Sequence, residues 1–458
     1  MPETLFTLAE AAAALNLPSP ATSANITGVS IDTRTLQKGD LFVALTGTPS
    51  GGFTSSFNSA GDGHNFLKMA EEKGAAAAIV TTPNPGLTIP QLVVDDTLMH
   101  GLWPLGKASR NRMQGKLVGL TGSAGKTTTK EMLAALLQAS ASVGSYNNFW
   151  GVPLTLARIP RTAAFAVAEM GMNRPGEIAR LSELAAPDVA LIVNVHPVHL
   201  EHLGSLQAIA REKLGITAGL SRHGTLVVPQ DLDITPSGWQ GTTLRFGPGS
   251  GIYAEKWAAQ GEDWLVTFML EGKRVEALLR EGAPHRLHNA TAALAIVIAL
   301  GVNPEAAAAN LQHAGVMAGR GTTQTVGGIT VIDDSFNANP ASMQAALQSL
   351  TGRATSGHKY AILADMLELG REAPAYHRNL KPYTEGLTGI FAIGPLIKNL
   401  YDTLPESQKL GWVETPEEFD VAAFTQTLKA GDSLVLKGSK KMLHVPGIPA
   451  KLIAALTK

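Results

Sequence analysis

This sequence predicts an α/β fold spread over about three domains, and three observations predict it. The chain has 458 residues, against about 150 for a typical domain. Its composition, 45% hydrophobic and 16% charged, supplies enough apolar surface for packed cores, whereas disordered chains show the reverse balance. Apolar strand patterns alternate with amphipathic helix patterns along most of the chain, as happens where a parallel sheet is covered on both faces.

The first segment opens on a helix pattern, TLAEAAAAL, which stops before Pro18. Two strand patterns follow, ITGVSID and GDLFVALTG, each bounded by Gly, Asp or Pro. The Gly/Ser/Thr-rich stretch from Thr48 to Gly63 reads as a surface loop. The helix NFLKMAEEKGA then leads into the strands AAAIVTT and QLVVDD. A polar, basic run from Lys107 to Lys116 reads as a solvated helix end plus linker, and places the first boundary near residue 113. The second segment alternates LVGLTG, KTTTKEMLAALLQA, FAVAEMG, GEIARLSELA and VALIVNV. A Gly-rich stretch, Gly315–Gly321, marks the second boundary, and ITVIDD, MQAALQSL, YAILADM, GIFAIG and DSLVLKG continue the alternation. The expected division is therefore 1–113, 114–314 and 315–458.

Several classes fall away on composition. Lys and Arg total 37 against 38 Asp and Glu, whereas a nucleic-acid binder ordinarily carries a basic excess. There is no cysteine, which removes disulfide scaffolds, thiolate metal sites and a cysteine nucleophile. Any metal must then be held by oxygen and imidazole. The N-terminus carries Glu3 and Glu10 and no basic residue before Arg34, so no signal peptide is expected. The apolar run Ala290–Val302 is too short to cross about 30 Å of hydrocarbon and reads as a buried helix. A cytoplasmic location is expected.

The strongest chemical signal is LVGLTGSAGKTTT, from Leu117 to Thr129. An apolar strand enters a Gly-rich turn, and a helix starts at Lys126. Such a loop aims backbone N–H groups and a helix N-terminus at a polyphosphate. Glycine permits close backbone approach, Lys126 supplies charge to the β/γ-phosphates, and the Thr127 hydroxyl can ligate Mg²⁺. The general P-loop pattern would place Gly where this chain has Leu120. Glu169 ends the strand FAVAEMG, where open α/β sheets put ligand-contacting residues and where an acid can hold a nucleotide's metal. On spacing alone it also reads as an ordinary charged strand end. His199, and Lys213 on the helix LQAIAREKLGI, gain interest only as part of this constellation; singly, such residues are more often structural.

Taken together, SIDTRTLQKGDLFVALTG, DGHNF, GSAGKTTTKEM, YNNFWGVPLTL, EMGMNRPGEI, NVHPVHLEHLGSLQAIAREK, RLHNATAALA, AGRG, DDSFNANPASMQAAL, ADMLELG and LVLKGSK resemble the Mur ligase family of peptidoglycan synthesis over nearly the whole chain. TGxxGKT is that family's own P-loop form, and DDSFNANPASM with ADMLELG points to its D-alanyl-D-alanine-adding branch. The resemblance implies a uridine-nucleotide domain, a central P-loop parallel-sheet ATPase domain, and a Rossmann-like C-terminal domain that closes over ATP and takes the dipeptide. It implies ATP and Mg²⁺ as cofactors, UDP-N-acetylmuramoyl-tripeptide and D-alanyl-D-alanine as small-molecule partners, and a monomeric bacterial enzyme.

Residue by residue, the resemblance puts ATP on Gly122, Ser123, Ala124, Gly125, Lys126, Thr127 and Thr128. It adds Asn289 for adenine, Arg320 for phosphate and Asp334 for ribose. Magnesium falls to Thr127, Glu169, His199 and Lys213, the last as a carbamate, since an unmodified ammonium would repel a cation while a carbamate offers it hard oxygen. Lys126, Glu169, His199 and Lys213 thus form the catalytic set. Substrate candidates are Ser30, Thr33, Arg34, Thr46, Gly47, Asp62 and His64, with Asn147, Asn148, Ser335, Asn337 and Asn339. The chain departs from the family pattern at Phe336 for Tyr, Ala364 for Gly and Lys440 for Arg. An Arg-to-Lys exchange is not neutral where a carboxylate is gripped bidentately.

The expected reaction is amide ligation through an acyl phosphate. Competing expectations are a sister Mur or folylpolyglutamate-type ligase, or, from another class, a P-loop nucleotide switch. An Asn-Lys-x-Asp guanine-reading tetrapeptide is absent after the P-loop, which counts against the switch.

Overall fold

The computed structural model describes residues 3–47, 51, 53 and 61–457. The loop expected over Thr48–Gly63 therefore lies mostly outside the described residues. Near the N-terminus, the helix Leu8–Ala14 is started by Thr7, whose hydroxyl accepts from Glu10 N–H while Glu10 reaches back to Thr7 N–H. Four parallel strands follow, in the order Gly28–Ser30, Asp40–Val43, Ala77–Val80 and Gln91–Val93.

The basic run 107–116 does hold the helix end expected of it, but that end is not solvated. The run is largely the end of the helix Trp103–Arg112, docked against the middle of the chain. Arg110 donates to the carbonyls of Ala185 and Ala186 and pairs with Asp188 at 2.9 Å. Arg112 lies 4.0 Å from the centre of the Phe6 ring, and burial pushes its guanidinium down to about 10. Composition could not show this, because Lys and Arg bury their stems while their charged ends find carbonyls and carboxylates elsewhere in the chain.

The central sheet is parallel, with six strands in the order Thr242–Phe246, Thr225–Pro229, Val189–Ile192, Lys116–Thr121, Phe165–Glu169 and Ser140–Ala141. Val118, Leu120, Val167 and Leu191 join a core with helices Lys126–Leu137 and Pro284–Ala299, while Leu117, Ala166, Ala168 and Ile192 join another with helix Glu177–Ala185. This two-sided burial explains the unbroken apolar strands. After Lys116–Thr121 the chain places Phe165–Glu169 on one side and Val189–Ile192 on the other. The carboxyl ends of these three strands thus flank a switch point, where open sheets bind ligands.

The apolar run Ala290–Val302 lies mostly within the buried helix Pro284–Ala299, as expected. One feature was not anticipated: a three-stranded antiparallel meander, Ile252–Gln260, Asp263–Leu270 and Lys273–Leu279. Its Val266, Phe268, Leu270, Val275, Ala277 and Leu279 extend the core. Glu271 and Gly272, with φ of 49° and 86°, make the second hairpin turn with both central residues left-handed.

The C-terminal sheet runs Thr322–Val326, Ile329–Asp334, Ser433–Lys437, Lys359–Ala364, Gly389–Ile393 and Lys409–Val413. Its first pair is antiparallel and the others are parallel. No helix among the described residues is long and apolar enough to cross a membrane.

Candidate functional site

A cavity of about 810 Å³ opens at the central switch point and takes lining from both the central and C-terminal parts. Its floor is the loop Gly122–Gly125. Gly125 has φ of +74°, and a Cβ there would lie 2.4 Å from Asn289 Oδ1, so only glycine fits. The loop is braced by Asn194, which accepts from Ser123 and Ala124 N–H at 3.1 and 2.9 Å and donates to Ala124 O. Ser123 Oγ accepts from His196 N–H at 2.8 Å.

Lys126 begins the helix that follows, and its ammonium donates to Gly122 O at 2.8 Å. Burial lowers the Lys126 pKa; Glu169 opposes that shift and Arg320 adds to it. Thr127 Oγ1 donates to Ser145 Oγ at 3.3 Å, and Ser145 Oγ donates to Glu169 Oε1 at 3.1 Å. Asn147 Nδ2 donates to that same carboxylate oxygen at 2.7 Å. Glu169 is 1% exposed, and its Oε2 finds no hydrogen-bond partner among the described residues. A buried, unpaired carboxylate oxygen on the wall of a cavity suits a hard cation.

No group of three or more His, Asp or Glu among the described residues forms a ready-made cage. Magnesium seldom uses one, preferring one or two carboxylates with phosphate oxygens and water. Glu169 and Thr127 fit that pattern.

The loop carrying Ser145 and Asn147 is anchored by a residue that sequence reading passed over. Lys130 is fully buried, and its ammonium donates to Ser142 O and Gly144 O, both at 2.5 Å, while pairing with Glu131 at 2.9 Å. Three acceptors for three protons satisfy a charge that would otherwise be costly to bury.

Lys213 lies in the last turn of the helix Leu206–Leu214 and is 2% exposed. Burial pushes its amine well below the usual lysine range; the Lys126 charge adds to this, and Glu212 opposes it. Glu212 accepts from Gly176 and Ile178 N–H at 2.6 and 3.0 Å, tying this helix to the start of Glu177–Ala185. His199 also lines the cavity, but its Nδ1 is held by Glu368 from the C-terminal part. His285 lines the cavity as well, and burial takes its pKa down to about 3, so it stays neutral near pH 7.

The C-terminal part contributes Arg320 and Asp334. The Arg320 guanidinium lies 4.0 Å from the centre of the Phe336 ring, and Lys440 approaches that ring at 5.0 Å. Phe336 therefore sets the plane of the arginine by cation–π stacking. Asp334 pairs with Lys437 at 2.7 Å, and Lys437 also donates to Asn337 O at 2.8 Å. Burial raises the Asp334 pKa and Lys437 opposes that shift.

The cavity thus brings together Gly122 to Thr128, Asn147, Asn148, Glu169, His199, Lys213, Asn289, Arg320, Asp334, Asn337 and Asn339. Asn148 and Asn339 also have local work. Asn148 Oδ1 accepts from Gly151 N–H at 2.9 Å, and Asn339 caps the helix Pro340–Gly352. Ser335 is buried outside the lining.

Ser30, Thr33, Arg34, Thr46, Gly47, Asp62 and His64 do not line this cavity. Arg34 is exposed and pairs with Asp32 at 2.6 Å. Asp62 and His64 form a clamp: His64 Nε2 accepts from Thr81 N–H at 2.9 Å, so its Nδ1–H donates to Asp62. Besides Lys130, sequence reading missed Asn194, Lys437 and Glu368. Asn194 was signalled by its place at the end of a buried strand; the other two sit inside quoted motif blocks, but nothing in their spacing shows a partner.

Comparison with known proteins agrees with this geometry. Residues 120–297 match the family described as Mur ligase middle domain, and residues 319–440 match Mur ligase, glutamate ligase domain. The UDP-N-acetylmuramoyl-tripeptide–D-alanyl-D-alanine ligase of Bacillus subtilis is 33% identical over 91% of this chain and 91% of its own. A crystal structure of MurF from Acinetobacter baumannii superposes with a TM-score of 0.82 at 30% identity, covering 98% of this chain and 99% of that one. MurF from Thermotoga maritima in complex with ADP gives 0.75 at 25% identity, covering 94% and 97%.

Proposed function

The chain belongs to the Mur ligase family, and from that premise we propose how its cavity works. It is an ATP-dependent ligase of peptidoglycan synthesis that joins D-alanyl-D-alanine to UDP-N-acetylmuramoyl-tripeptide. The observation that carries the mechanism is one cavity where the P-loop, Glu169 and Lys213 face Arg320 and Asp334.

An amine cannot displace oxide from a carboxylate, so the acid must first be activated. The terminal carboxylate of the tripeptide attacks the γ-phosphorus of ATP, ADP leaves, and an acyl phosphate forms. The amine of D-alanyl-D-alanine then adds to the acyl carbon, and the tetrahedral intermediate collapses to the amide with loss of phosphate and a proton. Gly122 to Thr128 hold the phosphates, with Lys126 and Arg320 countering charge as it moves to the leaving ADP. Asn289 faces the adenine and Asp334 the ribose. Glu169 and Thr127 would hold a magnesium ion, with His199 on the same cavity wall, and the ion would supply neutralisation of phosphate charge. Closure of the C-terminal part excludes water, which would otherwise hydrolyse the acyl phosphate.

The division 1–113, 114–314 and 315–458 gives each large substrate its own wall. Ser30, Thr33, Arg34, Thr46, Gly47, Asp62 and His64 lie on the first part, away from the ATP cavity, which suits a separate uridine-nucleotide site. A monomer would suffice for this chemistry, since the described lining of the cavity comes from one chain. Phosphorylated and nucleotide-linked substrates of this kind support a location in the bacterial cytoplasm.

Phosphate release should require ATP and UDP-N-acetylmuramoyl-tripeptide and rise sharply on adding D-alanyl-D-alanine. Release indifferent to both acceptor and donor would contradict the ligase reading and favour a nucleotide switch.

Lys213 carries a carbamate in this account. Burial lowers the Lys213 pKa and so favours the neutral amine, which can add to CO₂ and lose one proton, leaving an N-carboxylate whose oxygens suit the cation. Enzyme equilibrated with ¹³C-bicarbonate should show a carbamate carbon signal that Lys213→Ala lacks. Fully active enzyme without that signal would remove the carbamate from the mechanism.

A further inference from the structure

His199 and Glu368 meet across the seam between the central and C-terminal parts. His199 precedes the short helix Leu200–Leu203, and Glu368 follows the strand Lys359–Ala364. Both are non-glycine residues in the left-handed region, with φ of 51° and 64°. Such a conformation is unfavourable for an L-residue and persists only where surrounding structure enforces it. Here each helps hold the other: Glu201 N–H donates to Glu368 O at 3.3 Å, and Gly370, itself at φ +64°, packs on Glu201. Their side chains are 27% and 36% exposed, which is too wet for the pair to matter much as a stability device.

Its chemistry points elsewhere. A carboxylate that accepts from Nδ1–H fixes the tautomer of an imidazole and leaves the Nε2 lone pair free to act as a ligand. The same chain shows the contrast, because His64 spends both ring nitrogens on structure. His199 spends Nδ1 on Glu368 and lines the nucleotide cavity. We propose that Glu368 is a positioning residue which holds His199 in its Nδ1–H tautomer, so that the Nε2 lone pair is kept available to a cation by a carboxylate from the C-terminal part. Arg320 and Asp334 line the cavity from the same C-terminal part, so the contact makes cation affinity depend on the part that also supplies these two residues. This inference rests on the reading of His199 as a metal-facing residue.

The test uses the full chain and two readouts. Long-range ¹H–¹⁵N spectra of metal-free enzyme, with the His199 signals assigned by their loss in His199→Gln, should show the Nδ1–H tautomer. Glu368→Ala should shift His199 toward Nε2–H, and Glu368→Gln, which keeps an oxygen acceptor, should largely preserve the wild-type pattern. The Mg²⁺ concentration for half-maximal activity should rise roughly 10–100-fold in Glu368→Ala and much less in Glu368→Gln. An unchanged tautomer and unchanged Mg²⁺ dependence in Glu368→Ala would overturn the proposal and leave Glu368 a closure contact. If His199→Ala itself leaves the Mg²⁺ dependence unchanged, the metal-facing reading of His199 fails, and this proposal with it. If His199→Ala shifts that dependence and Glu368→Ala does not, the proposal alone fails.

Discussion

Replacing Lys126 by alanine should lower turnover by on the order of 10³-fold or more while leaving thermal stability unchanged or slightly raised. The two effects have separate causes. Lys126 is the first residue of the helix after the phosphate loop, and among the described residues its ammonium donates to the loop carbonyl of Gly122. Burial works against its charge, Glu169 opposes that effect and Arg320 adds to it. Removing it relieves that penalty in the resting protein but takes away a cation needed when charge builds on the β/γ-phosphates. Phosphate-release assays and thermal melts on the same preparation check both halves. Normal turnover would mean that the loop does not hold nucleotide, and a large loss of stability would mean that Lys126 is structural.

Arg320→Ala should cost roughly 10²–10³-fold in kcat, and lysine should not restore it. The guanidinium is oriented by its stack on Phe336 at 4.0 Å, and a lysine ammonium lacks the planar fork that this orientation serves. Phe336→Ala, which frees the arginine without deleting it, should fall between wild type and Arg320→Ala. Steady-state kinetics with all three substrates saturating check the order. Equal rates for wild type and Arg320→Ala would remove the C-terminal part from phosphoryl transfer.

Much of this site was legible because its signals are local. The phosphate loop is a contiguous run whose glycines answer to backbone geometry, and Gly125 shows that demand directly through its left-handed φ and its approach to Asn289. Glu169 was readable because strand ends at a switch point are where such sheets put ligands. The alternation of strand and helix patterns likewise gave the covered parallel sheets. Residues whose purpose lies in a distant partner were not legible. Lys130 looks like any helical lysine until its ammonium meets Ser142 and Gly144, and Glu368 looks like a loop acid until it meets His199. Arg110 belongs to a polar run that reads as a solvated helix end plus linker, yet its contacts lie about 75 residues on at Ala185, Ala186 and Asp188. The meander over 252–279 escaped because its first strand, IYAEKWAAQ, exposes most of its second half and so lacks a strong apolar signature.

The central claim is that the tripeptide carboxylate is activated by taking the γ-phosphoryl group of ATP. Isotope transfer tests it most directly. With ¹⁸O in the terminal carboxylate of UDP-N-acetylmuramoyl-tripeptide, one turnover should deliver one ¹⁸O atom to inorganic phosphate, because the bridging oxygen of the acyl phosphate leaves with phosphorus. Mass spectrometry of the released phosphate should therefore show the singly labelled ion. Unlabelled phosphate accompanied by amide formation would contradict the account.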